Sequence, residues 1–117
     1  MERVWAEILG DLPPELRAAV ENVAVLLEEE PSPAQREAYG LPPGERLYGM
    51  FEGASLPERA AAGLAWPARI LLFRRPLEAD FGDDPLRLRQ EIRRTLLHEL
   101  GHYFGLDEEG LERLGLA

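Results

Sequence analysis

Residues 84–105 read DPLRLRQEIRRTLLHELGHYFG. Asp84 is a good side-chain cap and Pro85 suits the first helical position, so a helix should start here. Leu88, Ile92, Leu96 and Leu100 then fall four apart on one face. No proline follows in residues 86–117, and Gly105 stands where a helix commonly stops. The stretch therefore predicts one long helix over 86–104. That helix carries the chain's only two histidines, His98 and His102. Being four apart, their imidazoles leave one face, one turn apart. Glu99 follows the first of them, and the string His98-Glu99-Leu100-Gly101-His102 is an H-E-x-x-H pattern.

Two neutral imidazoles on one helix turn can share a zinc ion, at about 2.0–2.1 Å each. A carboxylate one residue after the first histidine faces water held by such an ion. It can take that water's proton and pass it to a leaving amine. An unrelated chain of this length would match the pattern in roughly 3 cases per 1,000, so two histidines on a helix face, one packed and one solvated, are the weaker reading. Leu96, Leu97 and Leu100 supply an apolar wall for the site. Gly105 lets the chain turn back, and Glu108 stands ten residues after His98. That is the third-ligand position of the extended pattern H-E-x-x-H-x-x-G-x-x-H, and a carboxylate is an ordinary zinc ligand. Asp107 is its rival for that role, or else the cap of a short last helix over about 108–114. Tyr48 and Tyr103 are candidate donors to a tetrahedral intermediate, against a plainer role as packed aromatics. Arg93 and Arg94 could steer a peptide carboxylate, against a plainer role as a solvated helix face.

Upstream of the helix the signals are shorter. Val4, Trp5, Ile8 and Leu9 form one stripe of a helix over 2–9, and Pro13-Pro14 opens a second helix towards Ala19. The segment 22–27 reads as a buried strand. Residues 31–45 should be loop, with a helical turn at 33–38, and Gly40–Gly44 should be a turn. A strand is expected over 46–52, an irregular connection over 53–67 with a loose turn at 60–65, and the clearest strand over 69–74. Pro76 should end that strand or put it at an edge. An acidic loop over 79–84 completes the series. Helices, short strands and a long helix near the C-terminus make an α+β class, with a small, mostly antiparallel sheet packed on helices.

With 117 residues, the chain suits one domain spanning 1–117. Its 22 acidic and 13 basic residues give a net charge of −9, which argues against nucleic acid as a partner. All 13 bases are Arg, and Arg without Lys, with ten Pro, hints at a heat-adapted source. The absence of cysteine excludes a disulfide scaffold, a thiolate metal site and a cysteine nucleophile. The only serines, Ser32 and Ser55, sit in no Gly-x-Ser-x-Gly, so a serine hydrolase is poorly supported. No segment approaches the roughly 20 apolar residues of a membrane span, and the N-terminal residues do not read as a signal peptide. The cytoplasm is the expected location.

Residues 98–115, HELGHYFGLDEEGLERLG, resemble the small bacterial zincin-like metallopeptidase family. The run Ile70–Pro76, the acidic loop and Arg-rich helix after it, and the segment Asn22–Val25 resemble it too. The resemblance implies a minimal zincin fold, a bound Zn2+, and hydrolysis of peptide bonds in a peptide or unfolded protein. It implies His98, His102 and Glu108 as metal ligands and Glu99 as the catalytic base. The family commonly has Asp where this chain has Glu108. Two departures from the larger metzincins stand out: the third ligand is not His, and the nine residues after Glu108 contain no Met. A non-catalytic module that docks a peptide or protein on the same fold is the alternative.

Overall fold

The computed structural model describes residues 2–20, 23–53 and 68–113, and of Glu108 the backbone alone. Six helices and three strands lie among them: α1 (Glu2–Asp11), α2 (Pro14–Ala19), β1 (Val23–Glu28), α3 (Pro33–Tyr39), β2 (Gly49–Glu52), β3 (Ala68–Phe73), α4 (Arg74–Phe81), α5 (Pro85–Phe104) and α6 (Glu108–Arg113). The α+β class is as expected. Asn22 and the expected turn at 60–65 lie outside the described residues, as does the end of the last helix at Leu114.

Helix α5 is built from strong local signals at both ends. The Asp84 carboxylate accepts from the backbone N–H groups of Leu86 at 3.1 Å and Arg87 at 3.3 Å. These are donors that no turn of the helix can satisfy. At the other end Gly105 takes a left-handed φ of 72°. Its N–H donates to the His102 carbonyl at 3.2 Å, while that of Leu106 reaches back to Gly101 at 2.8 Å. This pairing is the Schellman arrangement, which only a residue tolerant of positive φ can close. Twenty residues at 1.5 Å each make α5 a rod of about 30 Å.

One side of the rod is core. Leu96, Leu97, Leu100, Tyr103 and Phe104 are buried, and Leu88 and Ile92 pack on the same cluster. Val4 and Ile8 of α1, Val20, Val23 and Leu111 of α6 belong to it as well. Each such side chain contributes about 1.5–3 kcal/mol on leaving water.

The sheet has the order β1-β3-β2. It is mixed rather than mostly antiparallel: β1 runs parallel to β3, from Val23 opposite Ala68 to Glu28 opposite Phe73, and β2 runs antiparallel to β3. The reason lies in β3. Ala68, Ile70 and Leu72 face the helices, while Leu71 and Phe73 face the other way and pack with Met50. A strand covered on both faces needs a continuous apolar run and takes the middle of a sheet. Pro76 therefore does not mark an edge; it sits in the first turn of α4, where its missing N–H costs nothing. Helix α4 also replaces the first part of the loop expected over 79–84. Strand β2 starts at Gly49, three residues later than expected. A Cβ at Gly49 would stand 2.7 Å from a Thr95 methyl and 2.8 Å from the Leu71 carbonyl oxygen. Glycine there lets β2 lie directly against α5.

Candidate metal centre and cleft

The last two turns of α5 bring His98, Glu99 and His102 together. The two imidazole centroids are 4.8 Å apart. Ligand atoms of all three residues lie within 4.8 Å of one another, and this is the one such group among the described residues. The two rings are exposed while Glu99 is 1% exposed, so the carboxylate forms a floor beneath an open pair of imidazoles. Leu96, Leu97 and Leu100 are buried in the core, and of the three Leu97 also lines the cleft beside His98 and Glu99.

Glu99 is held at a cost. Its Oε2 is buried and makes no hydrogen bond. His102 Nδ1 is 3.5 Å away, which is too long to satisfy it. Burial pushes the Glu99 carboxyl up to about 7. His102 is pushed the other way, first by burial and then by the neighbouring His98. A neutral imidazole is the form that ligates a metal, and a cation would relieve the unpartnered oxygen below. On donor chemistry and on the orphaned oxygen, the group fits a divalent ion such as zinc.

Gly101, inside the motif, settles what can pack beside it. A Cβ there would lie 3.0 Å from a Leu111 methyl and 3.3 Å from the Leu106 carbonyl oxygen. Without one, the chain folds back after Gly105 and α6 lies against α5. Asp107 caps α6, its Oδ1 accepting from the Gly110 N–H at 2.8 Å, and it stands apart from the His98–Glu99–His102 group. Glu108 opens the helix, and its side chain lies outside the described residues.

His98 and Glu99 line a cleft of about 970 Å³ that also takes in Leu111 and Glu112 of α6, Gly49 of β2 and Tyr39 of α3. The tyrosines are distributed differently from expectation. The Tyr103 hydroxyl donates to the Ala19 carbonyl at 3.0 Å, and that of Tyr48 to the Asp80 carboxylate. Tyr48 lines the cleft with Glu99, and so does Tyr39. Burial raises its pKa, and the Glu99 charge raises it further. Sequence reading passed over it because nothing local links positions 39 and 99. The arginines also part company: Arg93 pairs with Asp11 at 3.3 Å, while Arg94 is exposed on the cleft wall. Strand β3 is flanked by β1 and β2, so neither of its edges is free. The strand that borders the cleft is β2, an outer strand of the sheet.

No helix among the described residues is long and apolar enough to cross a membrane. No curated protein matches the chain closely enough to count as a relative. A family model described as zincin-like metallopeptidase matches residues 20–116.

Proposed function

Because the chain belongs to the zincin-like metallopeptidase family, we propose that it is a zinc-dependent peptidase acting on short or unfolded peptides. The observation that carries this reading is Glu99: a buried carboxylate with one unsatisfied oxygen, beside two exposed imidazoles, opening on a cleft. A protein that merely folded would gain by replacing such a group with an apolar one.

His98 and His102 hold the ion. Glu108 is our third ligand; it opens α6 four residues before Glu112, which lines the cleft. When bound, zinc supplies Lewis acidity, which polarises a carbonyl and makes water easier to deprotonate. Glu99 removes a proton from the attacking water and returns it to the leaving amine. Burial raises its pKa in the metal-free protein, which favours a group that can hold the proton before passing it on. Tyr39, kept protonated by its surroundings, donates to the carbonyl oxygen as negative charge builds there. Strand β2 offers main-chain groups to an extended substrate, a mode that reads backbone more than side chains.

The test is Glu99→Gln, which keeps shape and removes basicity. Zinc content and circular dichroism should be unchanged. Cleavage of pooled short peptides should fall by roughly 10²–10⁴-fold. Cleavage that survives the change points to a contaminant. A zinc-loaded wild type that cleaves no peptide makes the protein a peptide- or protein-docking module instead.

A further inference from the structure

The chain's net charge is −9, yet four arginines, Arg46, Arg87, Arg93 and Arg94, line its cleft alongside Glu91, Glu99 and Glu112. Three of the four are neutralised within the fold. Arg46 pairs with Asp80, Arg87 with Glu91 at 3.1 Å, and Arg93 with Asp11 at 3.3 Å. Arg94 has no carboxylate partner among the described residues. It is exposed, so it keeps its charge in the cleft without a desolvation cost. Glu112, on the α6 side of the cleft, makes no ion pair with it.

Arg94 also stands at a telling distance. It is four residues before His98 on α5, so the two share a face about 6 Å apart along the axis. An extended peptide advances about 3.3–3.6 Å per residue. A guanidinium there meets a group one or two residues from the bond presented to His98 and Glu99. Guanidinium donors in a planar fork match carboxylates in particular.

Resting on the peptidase reading, we propose that Arg94 selects substrates bearing a carboxylate one or two residues from the cleaved bond. That carboxylate comes either from an acidic side chain or from the C-terminus of a short peptide. The rest of the molecule repels anions, so selection is confined to peptides that dock with the carboxylate at Arg94.

Three labelled peptides of one core sequence test this. The first carries an internal Glu and an amidated C-terminus. The second carries Gln instead, with a free C-terminal carboxylate. The third carries Gln and the amide. Binding is measured by fluorescence anisotropy on the full-length, zinc-loaded Glu99→Gln chain, with Arg94 intact, as Arg94→Lys and as Arg94→Gln. The first or the second peptide should bind about tenfold more tightly than the third, and which of them does so names the source of the carboxylate. Arg94→Gln should abolish the preference, Arg94→Lys should restore part of it, and added salt should weaken it. Equal binding of all three, no binding of any, or a preference that survives Arg94→Gln overturns the proposal. Cleavage of the same peptides by wild type is read separately. Selective binding without cleavage sinks the peptidase reading and keeps Arg94; cleavage without selectivity does the reverse.

Discussion

Glu99 sets the behaviour of the metal-free protein. In the folded chain its carboxyl holds a proton up to about pH 7, while its ordinary value is 4.5. Between those values the folded state binds the extra proton, so stability must fall as pH rises. Above about 7 both states are ionised and the full penalty of a buried charge is present. The shift corresponds to on the order of 3 kcal/mol. Chelator-stripped Glu99→Gln should therefore match wild type near pH 4.5 and exceed it increasingly towards pH 7.5, in urea or thermal denaturation. His102, held below its ordinary value, adds an opposite slope common to both proteins, which the difference removes. A parallel offset at all pH values would show that Glu99 finds a partner in solution. At this scale the sequence was partly transparent. His98, Glu99 and His102 announce themselves by spacing along one helix. Tyr39 does not, because its place beside Glu99 follows from how α3 packs across the cleft.

The junction between α5 and α6 decides which acid does what. Asp107 spends its carboxylate on the Gly110 N–H, so Asp107→Ala should cost about 1 kcal/mol of stability and leave zinc affinity nearly intact. Glu108→Ala should leave stability of the metal-free chain nearly intact and weaken zinc binding by tenfold or more, read by competition with a chromogenic chelator. The opposite pattern would exchange the two roles. Helix limits such as these were legible in the sequence because caps are local. Asp84 with Pro85, and Gly105, each act within a few residues. The place of β3 was not so legible. Its apolar run marks a strand, but Pro76 after it reads as a strand end or as an edge signal, and only the partners on either side decide. The parallel pairing of β1 is likewise invisible until β3 is known to lie between two strands.

For the molecule as a whole, His98 and His102 sit on α5, the element against which α1, α4, α6, β2 and β3 pack. The main core runs from Val4 in α1 through α5 to Leu111 in α6. If His98, His102 and Glu108 hold an ion as proposed, it ties α5 to α6 and stabilises the entire fold rather than one turn. With free zinc at 100 times the dissociation constant the gain is about 2.7 kcal/mol. Calorimetry of the stripped protein should show a rise in Tm of several degrees on adding zinc, absent in His98→Ala and His102→Ala. The order β1-β3-β2 has another consequence, and it concerns time. The described strands β1 and β2 touch only β3, never each other. Val23 must meet Ala68, 45 positions later (68 − 23), and Gly49 must meet Leu72. Among the described residues no ladder starts from a tight turn: the β2–β3 pair nearest in sequence, Glu52 with Arg69, is 17 positions apart (69 − 52). On a ribosome, neither of these ladders can begin until β3 has emerged. Residues 23–28 wait as an unpaired apolar segment meanwhile, the state in which a nascent chain is most exposed to the wrong partner.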